Sequence, residues 1–255
     1  MVEISSGMRT IKLILEYDGT EYRGWQRQKN GLSVQAILEE RIAVITGERV
    51  KVIGSGRTDA GVHALGQVAH FRTASAIPAE NLLKGINSLL PDDIVVKSLT
   101  DAPAGFHARI DARRKTYLYR LYNGMTRTAL FRRYAWTVSA PLDVPAMRRA
   151  AAYLVGRHDF TSFCTVHTEA ASFVREIFRL EISPTGTTAG SFLEIEVEAD
   201  GFLRYMVRTI VGTLVEIGRG KRPPEEMTAI LTGRNRDLAG MTAPPQGLFL
   251  KEVFY

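Results

Sequence analysis

The sequence of 255 residues contains one cysteine, Cys164, so no disulfide can form within a single chain. It also has no apolar run that approaches the roughly 20 residues of a membrane-spanning helix. The first nine residues lack the basic start and apolar stretch of a signal peptide. We therefore predict a cytoplasmic protein that does not enter a membrane.

Motifs for nucleotide or metal binding are missing as well. The glycine-rich segment at residues 54–63 has neither the Lys-Ser or Lys-Thr ending of a P-loop nor the glycine spacing of a dinucleotide-binding loop. His158, Cys164 and His167 have no accompanying CxxC or HExxH pattern, and a structural zinc site needs four ligands. The sequence therefore predicts neither a metal nor a cofactor.

Basic residues exceed acidic residues by 33 to 27, and this net charge of +6 favours a polyanionic partner. The excess is concentrated between His107 and Tyr134, where eight cations face one acid, Asp111, for a net charge of +7. The cations are Arg109, Arg113, Arg114, Lys115, Arg120, Arg127, Arg132 and Arg133. The interleaved aromatic residues are Tyr117, Tyr119, Tyr122 and Phe131. Cations that bind phosphates next to aromatic rings that stack on bases are typical of RNA-binding proteins. The alternative is a charged surface that faces solvent.

Hydrophobic periodicity divides the chain into two halves with a similar order of elements. In the first half, alternation at 11–17 predicts a strand, and Ser33 is a candidate N-cap for the following helix. The other elements predicted there are strands near 50–53, 67–71 and 94–99 and a helix over 79–90. In the second half they are strands over 116–122, 176–182, 192–197 and 248–254, helices over 144–154 and 202–217, and a short helix from Pro223.

Both halves thus have the order β-α-β-β-α-β, with an extra helix in the second. This order predicts an α+β fold of two ferredoxin-like or RRM-like halves. We expect a mixed, largely antiparallel sheet with helices on one face and a central cleft. The predicted domains are residues 1–106 and 107–255.

The glycine-rich segment 54–63 also contains two reactive residue types, Arg57 and Asp59. An aspartate beside flexible glycines can approach a substrate closely, and it acts as a nucleophile when a nearby cation keeps it ionised by lowering its pKa. The alternative is a loop aspartate that merely caps a turn.

Arg204 and Arg208 supply candidate cations, because helical spacing would put them on adjoining turns of an otherwise apolar helix. A guanidinium among apolar residues is costly unless it is paired. A solvent-facing stripe of arginines is the alternative.

Strand alternation puts Tyr117 and Tyr119 on one face of their strand and Leu118 and Arg120 on the other. One tyrosine could stack on a base. Both could instead fill the core of a sheet, where aromatic residues are common.

Three motifs together resemble the TruA family of tRNA pseudouridine synthases: GRTDAGVHA at 56–64, KTYLY at 115–119 and FLRYMVR at 202–208. The flanking runs that resemble it are YDGTEYRGWQR at 17–27, FHAR at 106–109, VGTL at 211–214 and APPQGL at 243–248.

The resemblance implies that Asp59 is the catalytic nucleophile, Arg208 its polarising partner and Tyr117 the ring against the target uracil. Arg57 would displace the target nucleotide from its stack, which base-modifying enzymes generally require. The remaining predicted substrate contacts are His63, Arg109, Arg113, Arg114, Lys115 and Arg204.

The family also implies a cofactor-free homodimer that modifies uridines 38 to 40 in the anticodon arm of tRNA. Two other classes of protein compete with this interpretation. A catalytically silent RNA-binding protein would explain the basic strip but gives Asp59 and Arg208 no purpose, and it lacks the RNP1 pattern. A nucleotide kinase would need a lysine that the glycine-rich segment does not have.

Overall fold

The computed structural model describes residues 7–165, 171–185 and 191–255, which form alternating strands and helices. In chain order the elements are β1 (Arg9–Tyr17), α1 (Val34–Thr46), β2 (Ile53–Gly54), β3 (His63–Thr73), α2 (Ala79–Leu89), β4 (Ile94–Ala102), β5 (Arg114–Asn123), β6 (Trp136–Val138), α3 (Val144–Ala152), β7 (Gly156–Asp159), β8 (Val174–Thr185), β9 (Ser191–Ala199), α4 (Met206–Gly218), α5 (Glu226–Gly233) and β10 (Leu248–Phe254). None of the described helices is long and apolar enough to cross a membrane.

Local sequence signals explain where α1 begins and ends. The Ser33 hydroxyl accepts the Ala36 backbone N–H at 3.3 Å, as its position before the apolar face predicts. Gly47 ends the helix in a left-handed conformation with φ of +72°, and its N–H donates to the Ala43 carbonyl oxygen.

The chain divides into two units. The first comprises the chain up to Ala112 together with Leu250–Tyr255, and the second comprises Arg113–Phe249. The sequence predicted a division near Phe106 and assigned the last strand wholly to the second half. The first unit includes the FHAR run and Leu250–Tyr255. Of these last residues, those in β10 lie in the strand next to β3.

The sheet of the first unit has the strand order β4-β1-β3-β10, and β2 also pairs with β3. The β1–β3, β1–β4 and β2–β3 pairs are antiparallel. Ile11, Leu13, Leu15 and Tyr17 alternate along β1 and are each at most 3% exposed. The predicted period-2 strand therefore supplies the core of this unit.

In the second unit the order is β5-β9-β8-β7, with β6 parallel to β5. Leu193, Ile195 and Val197 form the buried face of β9. Glu194, Glu196 and Glu198 alternate with them and are ion-paired with Arg120, Arg179 and Arg114 respectively. One face of this strand is apolar and the other carries paired charges.

The α+β class with largely antiparallel pairing is confirmed, and the first unit has the predicted order β-α-β-β-α-β in β1 to β4. The second unit contains two additional short strands, β6 and β7, which the sequence did not predict. Strands of three and four residues are too short for hydrophobic alternation to identify.

Candidate active site

Asp59 lies in the loop at residues 55–62 between β2 and β3, which we call the aspartate loop. The loop ends in a tight turn in which the Val62 N–H donates to the Asp59 carbonyl oxygen at 3.1 Å. Gly61 in this turn has φ of +75°, a conformation that strains other residues. Its N–H donates to the Tyr22 carbonyl oxygen at 3.3 Å. The half-buried Asp59 is therefore carried by a well-defined turn.

The segment at 17–26 lies directly against the aspartate loop, and two of its glycines permit the contact. A β-carbon on Gly19 would lie 2.0 Å from the Val62 carbonyl oxygen, and one on Gly24 would lie 2.4 Å from the Thr58 carbonyl oxygen. The Trp25 N–H donates to that same Thr58 oxygen at 3.1 Å. The YDGTEYRGWQR run thus forms a close-fitting support for the loop, a role that the sequence alone did not assign to it.

Buried side chains also hold the aspartate loop. The hydroxyls of Tyr17 and Thr58 share a hydrogen bond of 2.8 Å. Gln67, on β3, donates from Nε2 to the Gly56 carbonyl oxygen at 3.0 Å and accepts the Ser55 hydroxyl at 2.7 Å. Burial raises the pKa of Tyr17 to about 12, although its hydrogen bonds to Thr58 and Gln67 act in the opposite direction.

His63 was predicted as a substrate contact, but its side chain is only 1% exposed. The Gly19 N–H donates to its Nδ1 at 3.0 Å. The Asp18 carboxylate lies 3.1 Å from Nδ1 and itself accepts two bonds from Thr20. A side chain this buried would have to rearrange to touch RNA, so its burial favours support of the 17–26 segment, and the substrate contact of His63 stays a prediction.

Arg57 is exposed on the aspartate loop, next to the half-buried Asp59. Its Nε donates to the Gln26 side-chain oxygen at 3.1 Å. Gln26 belongs to the supporting 17–26 segment, so this segment also orients the guanidinium.

Arg109 is exposed in a turn at 107–111 on the first unit. His107 Nδ1 accepts the backbone N–H groups of Arg109 and Ile110, each at 3.2 Å. The Ala108 N–H donates to His70 Nδ1 at 3.1 Å, and its carbonyl oxygen accepts the Tyr255 hydroxyl at 2.7 Å. Burial lowers the pKa of His70 to about 4, and electrostatic interactions with the neighbouring His107 and Arg72 act in the same direction. The FHAR run is thus a rigid turn, held by imidazole acceptors.

Arg208 lies in the first turn of α4 in the second unit. Its Nε donates to the Ala243 carbonyl oxygen at 2.7 Å, and the Ala243 N–H donates to the Arg208 carbonyl oxygen at 3.0 Å. The guanidinium carbon lies 5.1 Å from the centre of the Tyr205 ring. Arg208 is therefore half-buried and oriented, which does not agree with the alternative of a solvent-facing stripe.

The segment 239–243 can clamp Arg208 because two glycines allow it to approach α4. A β-carbon on Gly212 would lie 1.7 Å from the Met241 carbonyl oxygen. A β-carbon on Gly240 would lie 2.8 Å from the Thr213 α-carbon, and the Gly240 N–H donates to the Thr213 hydroxyl at 2.9 Å. The VGTL run and the start of the APPQGL run are thus packing partners that position Arg208.

The two tyrosines of β5 have different environments. Tyr119 is fully buried, and its hydroxyl donates to the Pro244 carbonyl oxygen at 2.7 Å. Burial raises the pKa of Tyr119, with the charge of Arg208 acting in the opposite direction. Tyr117 is 8% exposed and makes an edge-to-face contact with Phe202, with ring centres 4.9 Å apart. Tyr119 is therefore a core residue, and Tyr117 is the better candidate for a stacking ring.

Arg204 is not on a helical turn next to Arg208, and this prediction is wrong. The helix α4 begins only at Met206, because Tyr205 has a left-handed backbone with φ of +65°. The Arg204 carbonyl oxygen accepts the Thr165 N–H at 3.4 Å instead of a helical partner. Its exposed guanidinium nevertheless lies over the same Tyr205 ring, at 5.0 Å.

The basic strip carries less uncompensated charge than its sequence suggests. Arg114 is ion-paired with Glu198 and Arg120 with Glu194, both at 2.9 Å. Arg113 is exposed, and Lys115 is half-buried. The register of β5 and β9 places Glu194 opposite Arg120 and Glu198 opposite Thr116, two residues from Arg114. A count of charges along the sequence cannot detect this pairing.

The candidate residues divide between the two units. The first unit carries Arg57, Asp59, His63 and Arg109, and the second carries Arg113, Arg114, Lys115, Tyr117, Arg204 and Arg208. Within the described residues, no three or more histidine, cysteine, aspartate or glutamate side chains are grouped to hold a metal ion. His167, one of the three possible zinc ligands in the sequence, lies outside the described residues.

Comparison with known proteins identifies the class to which these units belong. The sequence profile of the tRNA pseudouridine synthase family matches residues 13–111 and 150–255, which include most of both units. The chain belongs to this family of isomerases.

Several relatives are similar over nearly the whole chain. The tRNA pseudouridine synthase A of Syntrophotalea carbinolica is 49% identical, covering 97% of both chains. That of Myxococcus xanthus is 48% identical over 97% of this chain and 92% of its own. That of Thermoanaerobacter sp. (strain X514) is 47% identical over 97% of this chain and all of its own. The resemblance to the TruA family is therefore confirmed.

Proposed function

We propose that this protein converts uridine to pseudouridine in the anticodon arm of tRNA, at positions 38 to 40, with Asp59 as the nucleophile. It acts in the cytoplasm as a homodimer. The observation that carries the proposal is the aspartate loop, whose two supporting glycines, fixed turn and adjacent arginine belong to a chain of the pseudouridine synthase family.

The reaction is an isomerisation. The bond from N1 of uracil to C1′ of ribose breaks, a bond from C5 to C1′ forms, and a proton leaves C5 while N1 gains one. Oxidation states balance without an external reductant, and no water is consumed. A carboxylate that attacks C1′ or C6, or that removes the C2′ proton, can start this sequence, and each route requires an ionised Asp59.

The proposal gives other residues distinct roles. Arg208 is the cation that keeps Asp59 ionised, since a guanidinium favours the charged form of a carboxylate. Tyr117 stacks on the uracil and retains it while the base turns between bond cleavage and bond formation. Arg57, oriented by Gln26, occupies the space that the flipped nucleotide leaves.

The exposed cations bind the RNA backbone. Arg109 and Arg204 are both exposed, and each belongs to a segment with a defined backbone conformation. Arg113, Arg114 and Lys115 add charge at the start of β5. Contacts of this kind bind tRNA through its shape and phosphates more than through local sequence.

The experiment that tests the proposal is to incubate purified protein with unmodified tRNA, without any additive, and to map pseudouridine at single-nucleotide resolution. We expect modification at positions 38 to 40 and none elsewhere. Modification at other positions would refute the assigned target, and tRNA binding without any modification would favour the silent RNA-binding protein.

A further inference from the structure

The buried hydroxyl of Tyr17 needs a functional explanation. Tyr17 ends β1, is 3% exposed and has its ring centre 6.2 Å from that of Trp25. A phenylalanine would fill the same space in the core without a polar atom. Burying a hydroxyl is costly unless it is hydrogen-bonded, and the Tyr17 hydroxyl is bonded to Thr58, the residue before Asp59.

Gln67 makes a second buried connection to the aspartate loop. Its side chain is fully buried in β3, and its amide bonds both Ser55 and the Gly56 backbone. The Gln67 bonds hold the start of the loop, and the Tyr17 bond holds its centre.

The glycines and the backbone bonds described above already fix where the loop lies. The additional polar bonds fix the orientation of the backbone next to Asp59, because they act on the residues immediately before it. Thr58 is held by its carbonyl oxygen through Trp25 and by its hydroxyl through Tyr17. With both ends of this residue held, rotation of the peptide between Thr58 and Asp59 is restricted.

We propose that Tyr17 and Gln67 are positioning residues, which hold the aspartate loop from the sheet beneath it and so keep the Asp59 carboxylate in its reactive orientation. This inference rests on the proposed role of Asp59. Small errors in the placement of a nucleophile are expensive, since a displacement of about 1 Å can cost roughly a hundredfold in rate. Supporting residues on rigid strands are the usual means of preventing such errors.

The test uses three conservative substitutions on the full-length protein. Tyr17→Phe and Thr58→Val each remove one partner of the shared hydrogen bond, and Thr58→Ser keeps the hydroxyl. We expect Tyr17→Phe and Thr58→Val to lower kcat for pseudouridine formation by about tenfold or more, with KM for tRNA changed less than twofold. Thr58→Ser should retain most of the wild-type kcat.

A double-substitution cycle separates positioning from general loss of stability. Because both single changes break the same bond, the Tyr17→Phe/Thr58→Val protein should be no slower than the slower single variant. Thr46→Val is the matched control for Thr58→Val, since it removes another threonine hydroxyl in the same unit, one that donates to the Ile42 carbonyl oxygen within α1 and not to the loop. Its kcat should equal that of the wild type.

Gln67 is tested by Gln67→Glu, which keeps the shape and the acceptor but loses the donor to Gly56. We expect a similar fall in kcat with KM retained. Rates are divided by the folded fraction, measured from the melting curve of each variant. Wild-type kcat per folded molecule in Tyr17→Phe and Gln67→Glu would overturn the inference. A wild-type protein that makes no pseudouridine would overturn the proposed function instead.

Discussion

The backbone and the side chain of Asp59 have separate roles. Its carbonyl oxygen closes the turn with Val62, whereas its carboxylate is the group assigned to chemistry. Arg208 differs, because its side-chain Nε as well as its backbone bonds Ala243. Exchanging the side chain of Asp59 for a neutral isostere therefore alters the reactive group more than the local fold.

This separation leads to a prediction for Asp59→Asn. The amide has the size of the carboxylate but cannot act as a nucleophile, so tritium release from 5-tritiated uridine in tRNA should fall by at least about a thousandfold. The tRNA affinity should remain within about twofold, as a filter-binding titration would measure. Substantial turnover by this variant would exclude Asp59 as the nucleophile.

At the scale of elements, the contact between α4 and the 239–243 segment determines where Arg208 lies. The approach at Gly212 is so close that a methyl group added there would clash with the Met241 carbonyl oxygen. A backbone oxygen cannot rotate away as the end of a side chain could. The helix and the segment must then separate, and Ala243 would no longer be held against Arg208.

We predict that Gly212→Ala lowers the free energy of unfolding by about 2 kcal/mol or more and also lowers kcat. Alanine is otherwise favoured over glycine in a helix by about 1 kcal/mol, so the sign of the change is diagnostic. Urea denaturation measures the first effect. Gly105→Ala is the control, because a β-carbon there meets nothing within 4 Å, and a stabilised Gly212→Ala protein would contradict the packing described.

The turn at 107–111 predicts a pH dependence. His70 is neutral in the folded protein, with a pKa of about 4, and has a pKa near 6.5 when unfolded. The unfolded state therefore binds the proton first, and the stability that this residue contributes is complete above about pH 6.5 and is lost as the pH falls towards 4.

From pH 7 to pH 5, the wild type should therefore lose about 1 to 2 kcal/mol more stability than His70→Gln. Glutamine keeps an acceptor for the Ala108 N–H but does not titrate in this range. Urea titrations of both proteins at the two pH values give the comparison. Equal losses would contradict the lowered pKa of His70 in the folded protein.

Long periodic elements were predictable from sequence, and β1, α1 and β10 lie where the hydrophobic pattern predicts them. The beginning of α4 was not, because nothing in the FLRYMVR run indicates that Tyr205 takes a left-handed conformation. Local patterns report which face of an element is apolar, whereas such a bend depends on partners distant in sequence, here Thr165.

The candidate site was predictable in part. The reactive residue types of the aspartate loop and the lone arginines near α4 could be identified from sequence, but their roles came from family resemblance. The support that Gly19, Gly24 and Gln67 give to the loop could not be identified from sequence, since their contacts are known only from the fold. The burial of His63 could not be predicted for the same reason, because burial depends on the whole fold.

At the scale of the whole molecule, the net charge of +6 is a poor guide to where RNA binds. The glutamates of β9 compensate two arginines of β5, so neighbouring cations in the sequence differ in how much charge they offer to a phosphate.

The adjacent residues Arg113 and Arg114 test this distinction. Arg113→Gln should weaken tRNA binding and reduce the slope of log affinity against log salt by about 1. Arg114→Gln should have a smaller effect, because its charge is already compensated by Glu198 at 2.9 Å. Titrations at several salt concentrations measure both slopes. Equal slopes for the two variants would show that the ion pair opens when RNA binds.

The last residues of the chain have a consequence for how the protein is made. Leu250–Tyr255 belong to the first unit, and the Tyr255 hydroxyl bonds Ala108. A ribosome produces the first unit's other strands early, yet it must translate all of the second unit before the strand beside β3 exists. The first unit thus cannot complete its sheet while its own N-terminal portion is emerging, and a chain that stopped after the second unit would leave the first unit without the strand beside β3.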